Sequence, residues 1–128
     1  MSHQVYILWF GNNTSNDYHW SLFVAPINST KGVKYDALSS TNLSNVLEWN
    51  YSHLPGYDMP QSSSFGGSVM LGVISDVEGF KTLMLSTPLP ISGENCQTWV
   101  QKVVQEAVKQ KSFPTSATVQ IGTVPVRT

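Results

Sequence analysis

The chain holds a single cysteine, Cys96, so no disulfide can form within it, and a reducing, cytoplasmic setting is expected. Charge is scarce: 12% of residues are Asp, Glu, Lys or Arg, and the formal net charge is −1. Seven Lys and Arg, scattered along 128 residues, form no basic footprint, which sets nucleic-acid binding aside. No apolar run approaches the roughly 18–20 residues that cross a bilayer. The opening "MSHQVYILWFGNN" has no basic leader and only a short apolar run, so it reads as a strand and not as a signal peptide. Three histidines and one cysteine show none of the close ligand spacing that zinc sites favour, and neither metal nor cofactor is expected. Internal repeats and linkers are also missing.

What is present is a core. Apolar residues make up 41% of the chain, enough at this length to fold as one domain over residues 1–128. "QVYILWF" (4–10) reads as a strand ending at Gly11, and "NNTSND" as a turn-rich loop. "YHWSLFVA" (18–25) is a second strand, bounded by Asp17 and Pro26. After the turn "PINSTKG", "VKYDAL" is a third strand and "VLEWNYSH" a fourth. "LPGYDMPQSSSFGG" reads as an irregular loop that covers a substrate, its glycines serving as a hinge or turn. "SVMLGVISD" is a fifth strand, while "VEGFKTLML" fits a short helix or another strand.

From about residue 95 to 110 the period changes. Trp99, Val100, Val103, Val104, Ala107 and Val108 share one face, with polar residues between them, which predicts an amphipathic helix. The tail "ATVQIGTVPV" is strand-like. Together these predict an α+β fold: an antiparallel sheet of five to six strands, bent or barrel-like, with one main helix packed across it.

The chemistry gathers around Cys96. Asn95 or Ser92 can cap the helix, which puts Cys96 in its first turn, where free N–H groups and the helix dipole favour a thiolate. A thiolate nucleophile needs a base. His19 is the candidate, because alternation sets His19, Ser21 and Phe23 on one face of the second strand. If hairpin partners sum to about 55, Asp36 lies opposite His19 and can fix its tautomer. A one-residue slip would bring Tyr35 there instead. Gln97, Tyr35, Trp20 and His53 are the candidates for oxyanion or substrate contacts, although Trp20 also fits the core and His53 the edge of the loop.

Two short motifs carry a family resemblance. "HWSLFV" (19–24) on an early strand and "NCQTWV" (95–100) opening a late helix resemble the "H-W" and "N-C-x-x-F-V" motifs of the circularly permuted papain-like proteins. The branch they resemble is the lecithin:retinol acyltransferase branch of the NlpC superfamily. That resemblance implies Cys96 as nucleophile and His19 as general base. The family's third residue, commonly a second histidine, falls at or beside Asp36. No C-terminal membrane anchor of the kind lipid-acting members carry is visible, which favours a soluble hydrolase or transferase acting on a small-molecule or peptide substrate. Two other readings stay open: a binding or interaction module on the same fold, and a biosynthetic catalyst that uses the pocket for proton transfer. The oligomeric state is not legible.

Overall fold

A computed structural model describes residues 2–11, 18–41, 43–59, 65–91 and 93–126 of the chain. Five strands form one antiparallel sheet: β1 (His3–Phe10), β2 (His19–Pro26), β3 (Lys31–Thr41), β4 (Leu47–Asp58) and β5 (Phe65–Ile74). Their order is β4-β3-β2-β1-β5, an open sheet with β4 and β5 at its edges. Three helices follow: α1 (Val77–Ser86), α2 (Cys96–Lys109) and α3 (Ser116–Ile121). The fold is α+β as expected, with two smaller helices beside the main one.

Burial follows the alternation of the strands. Val5, Ile7, Trp20, Leu22, Tyr35 and Ala37 face the helices and meet Trp99, Val100, Val103 and Val104 of α2. On the opposite face Leu8, Phe10, Phe23 and Ala25 join Tyr57 in a smaller apolar cluster. Strand β2 is therefore covered on both sides, which explains its unbroken run of buried residues from Trp20 to Ala25.

The ambiguous "VEGFKTLML" is helix α1. Asp76 caps it by accepting a hydrogen bond from the Gly79 N–H at 2.9 Å, and Phe80, Leu83 and Met84 are its buried face. Two expectations are corrected. The segment 54–66 is not a long loop, because β4 runs on to Asp58 and β5 begins at Phe65. Pro55 and Gly56 are absorbed as extra residues where the β3–β4 register shifts, with Gly56 at φ +68°. An edge strand tolerates Pro55, since no inner ladder needs its missing N–H. Residues 60–64 of that segment, the "NNTSND" turn up to Asp17 and the alternative cap Ser92 lie outside the described residues.

The second correction is the tail. Instead of a strand, residues 116–121 form α3, whose Ala117 is buried, and turns lead on to Val126. The β-branched residues that suggested a strand are overruled by packing of α3 on β5 and α2. The "FGGS" part of "SFGGS", residues 65–68, likewise serves as strand and not as hinge: the indole of Trp9 lies on bare backbone at Gly66 and Gly67. A Cβ at Gly66 would stand 2.6 Å from Trp9 Cδ1.

Candidate functional site

The site is built where β2 begins and α2 begins. Asn95 closes a capping box on α2: its side chain accepts from the N–H groups of Gln97 (3.0 Å) and Thr98 (3.3 Å), and the Thr98 hydroxyl accepts from the Asn95 N–H at 3.2 Å. This fixes Cys96 as the first helical residue. Its side chain is buried, with 8% of its surface exposed.

His19 opens β2 and Asp36 sits in β3. The register differs from the expected one: Leu22 pairs with Tyr35 and Val24 with Val33, so continuing it puts Asp36 across from Ser21. The shift is of two residues, which preserves the face, so His19 still reaches Asp36 along the diagonal. His19 Nε2 stands 2.7 Å from Asp36 Oδ1. The Ser21 hydroxyl donates to the same carboxylate oxygen, and Lys34 Nζ lies 2.6 Å from Oδ2. Asp36 is thus a buried carboxylate, 2% exposed, with three partners.

The imidazole of His19 is one-quarter exposed and feels both Asp36 and the Cys96 sulfur. Burial is the largest single influence on it and favours the neutral ring. The hydrogen bonds to Asp36 and Cys96, with the charges of both, outweigh burial and push its pKa up to about 9. With Nε2 held by Asp36, Nδ1 is the nitrogen left for sulfur. Burial likewise works against the Asp36 carboxylate. The His19 hydrogen bond, the Lys34 charge and hydrogen bond, and the Ser21 hydroxyl prevail and hold it below the usual range. Lys34 is itself placed 5.5 Å from the ring centres of both Phe10 and Tyr57.

The other expected residues are distributed more widely. The Gln97 side chain is buried and donates to two backbone carbonyls, Tyr18 O and Val126 O, each at 2.8 Å. It joins the residue after Cys96 to the residue before His19, and so acts on the pair as a staple. Trp20 faces the helix-side core and donates its indole N–H to Pro125 O at 2.8 Å. Tyr35 pairs with His53 across β3 and β4, ring centres 6.4 Å apart, on the helix side of the sheet and away from the His19–Asp36 contact. Sequence reasoning did not assign Lys34 and Ser21 a role. The signal was available: Lys34 precedes Asp36 by two, Ser21 follows His19 by two, and alternation puts all four on one face.

A small α+β domain with a Cys–His–Asp cluster at one end of its open sheet is the class these observations define. The chain belongs to DUF6540, a family of unknown function, whose model matches residues 5–114. No curated protein and no solved structure matches the chain. No helix among the described residues is long and apolar enough to cross a membrane. Nor do those residues include three or more His, Cys, Asp or Glu side chains placed to hold a metal.

Proposed function

We propose that the protein is a thiol-dependent hydrolase or acyltransferase. The observation that carries this reading is His19, held by Asp36 at 2.7 Å and interacting with the Cys96 sulfur at the first turn of a capped helix. The pairing of "HWSLFV" with "NCQTWV", and the NlpC-type resemblance they carry, supports it.

In this reading Cys96 Sγ attacks the carbonyl carbon of an ester or amide. A C–S bond forms, and the C–O or C–N bond breaks as His19 gives its proton to the leaving group. Water or an amine then attacks the thioester, His19 takes its proton, and the thiolate is released. Asp36 keeps the ring oriented through both steps. The Cys96 N–H, which the Asn95 side chain does not engage, is the backbone donor this reading assigns to the oxyanion.

Exposure to an activated ester such as p-nitrophenyl acetate tests this. The expected result is one acetyl group on Cys96, seen by mass spectrometry of the intact protein. It should be absent in Cys96→Ser and form at least about 10-fold more slowly in His19→Ala. Equal labelling of native and His19→Ala protein contradicts the reading. The burial of the Cys96 thiol favours a second reading, a binding module on the same fold. No acetylation of any variant would support that one.

A further inference from the structure

The cluster at the start of β2 contains one charged group that the proposed chemistry does not use, the ammonium of Lys34. Strand alternation puts Lys34 on the same face as Asp36, with Phe23 and Leu54 as its partners on the neighbouring strands. Its surroundings are largely apolar: the side chain is 17% exposed, and the rings of Phe10 and Tyr57 are centred 5.5 Å from Nζ. Nζ stands 2.6 Å from Asp36 Oδ2, so a half-buried cation is held on a buried carboxylate.

The consequence lies at the far end of the cluster. His19 joins Asp36 Oδ1 to the Cys96 sulfur, while Lys34 occupies the other carboxylate oxygen. With Cys96 as thiolate and His19 as imidazolium, the two anions and two cations of the cluster cancel. Without the Lys34 charge, that same state would leave one net negative charge in a largely buried site. Asp36 and His19 would then balance each other, and the electrically neutral state would have Cys96 as a thiol. An uncompensated buried charge is costly, so the charge count decides which form the sulfur takes. Glu94, two residues before Cys96, does not alter the count, because it pairs with Lys102 at 3.0 Å. Among the described residues, His19 feels the charges of Asp36 and Cys96, and Asp36 feels the charge of Lys34 and the hydrogen bond of His19.

We propose that Lys34 is a positioning residue of the thiol site: by cancelling the Asp36 charge, it leaves the His19 imidazolium to be balanced by a Cys96 thiolate. This rests on the thiol-dependent reading above and adds the group that sets the charge state of the nucleophile.

The rate of iodoacetamide alkylation at Cys96 against pH, in Lys34→Met, Lys34→Gln and Lys34→Arg, tests this. At about pH 6–7 Lys34→Met should react at least about 10-fold more slowly than native protein, with the gap closing above about pH 9 as any thiol ionises. Lys34→Gln keeps a hydrogen-bond donor for Asp36 but loses the charge, so it should be slowed as Lys34→Met is. Lys34→Arg keeps the charge and should stay within about 3-fold of the native rate. Should Lys34→Met not fold, the contrast between Lys34→Gln and Lys34→Arg decides. A native rate in Lys34→Gln, or equal slowing in Lys34→Gln and Lys34→Arg, would overturn the proposal and leave Lys34 as a structural partner of Asp36. Slowing by His19→Ala but not by loss of the Lys34 charge would overturn this proposal alone. Identical profiles in native and His19→Ala protein would overturn the thiol reading beneath it.

Discussion

At the scale of the residue, the account turns on how one carboxylate is shared. Asp36 Oδ1 takes His19 and Ser21 while Oδ2 takes Lys34, so the imidazole and the ammonium compete for a single negative charge. Removing that charge should release His19. In Asp36→Asn its pKa should fall from about 9 toward the ordinary 6.5, read from the ring proton shifts in an NMR titration. Lys34→Met removes the competitor and should move His19 the other way, or leave it high. Of these residues, Cys96, His19 and Asp36 were legible in the sequence, because a helix start and strand alternation are local patterns. Asp36 was found through the wrong register, and survived because a two-residue error keeps the face. The role of Gln97 was not legible: its carbonyl partners, Tyr18 and Val126, are far away in the chain and only folding joins them.

At the scale of the element, one device positions the site and another braces the sheet edge. Gln97 ties the start of α2 to the start of β2 and to the C-terminal segment, where Tyr18 N also donates to Val126 O at 3.0 Å. Gln97→Leu removes both of these hydrogen bonds, although Val126 O keeps the Tyr18 N–H, and should cost about 1–3 kcal/mol in denaturant unfolding. It should also lower Cys96 reactivity, which a purely structural loss elsewhere would not do. The second device is the bare backbone at Gly66 and Gly67 under Trp9, which braces the edge strand β5 on β1. Gly66→Ala should destabilise by about 1–3 kcal/mol, seen as a lower Tm, since the indole must move. The first three strands and α2 could be read from their periods of 2 and 3.6. The far half of β4 could not, because Pro55 and Gly56 signal a loop and only an edge position with a bulge permits them in a strand. Helix α3 was hidden because a six-residue helix owes its existence to its contacts and not to its propensity.

At the scale of the whole molecule, the cluster links stability to pH. A histidine whose pKa rises on folding stabilises the native state wherever it is protonated there. The His19 contribution is therefore complete below about 6.5 and disappears as pH climbs through about 9. Asp36, held low, contributes above the ordinary carboxylate range and loses its contribution as pH falls through its lowered value. Denaturant unfolding should show stability declining from pH 6.5 to 9 by on the order of 2 kcal/mol, and His19→Ala should flatten that decline. The central claim, a Cys96–His19 pair at the mouth of a capped helix, is tested most directly by the rate of iodoacetamide alkylation at Cys96 against pH, in native protein and in His19→Ala. The account predicts that at pH 6–7 the native thiol reacts at least about 10-fold faster than in the variant, with the gap closing as pH passes 9. Identical profiles, or reaction only as fast as the protein unfolds, would contradict it and leave Cys96 as a core residue.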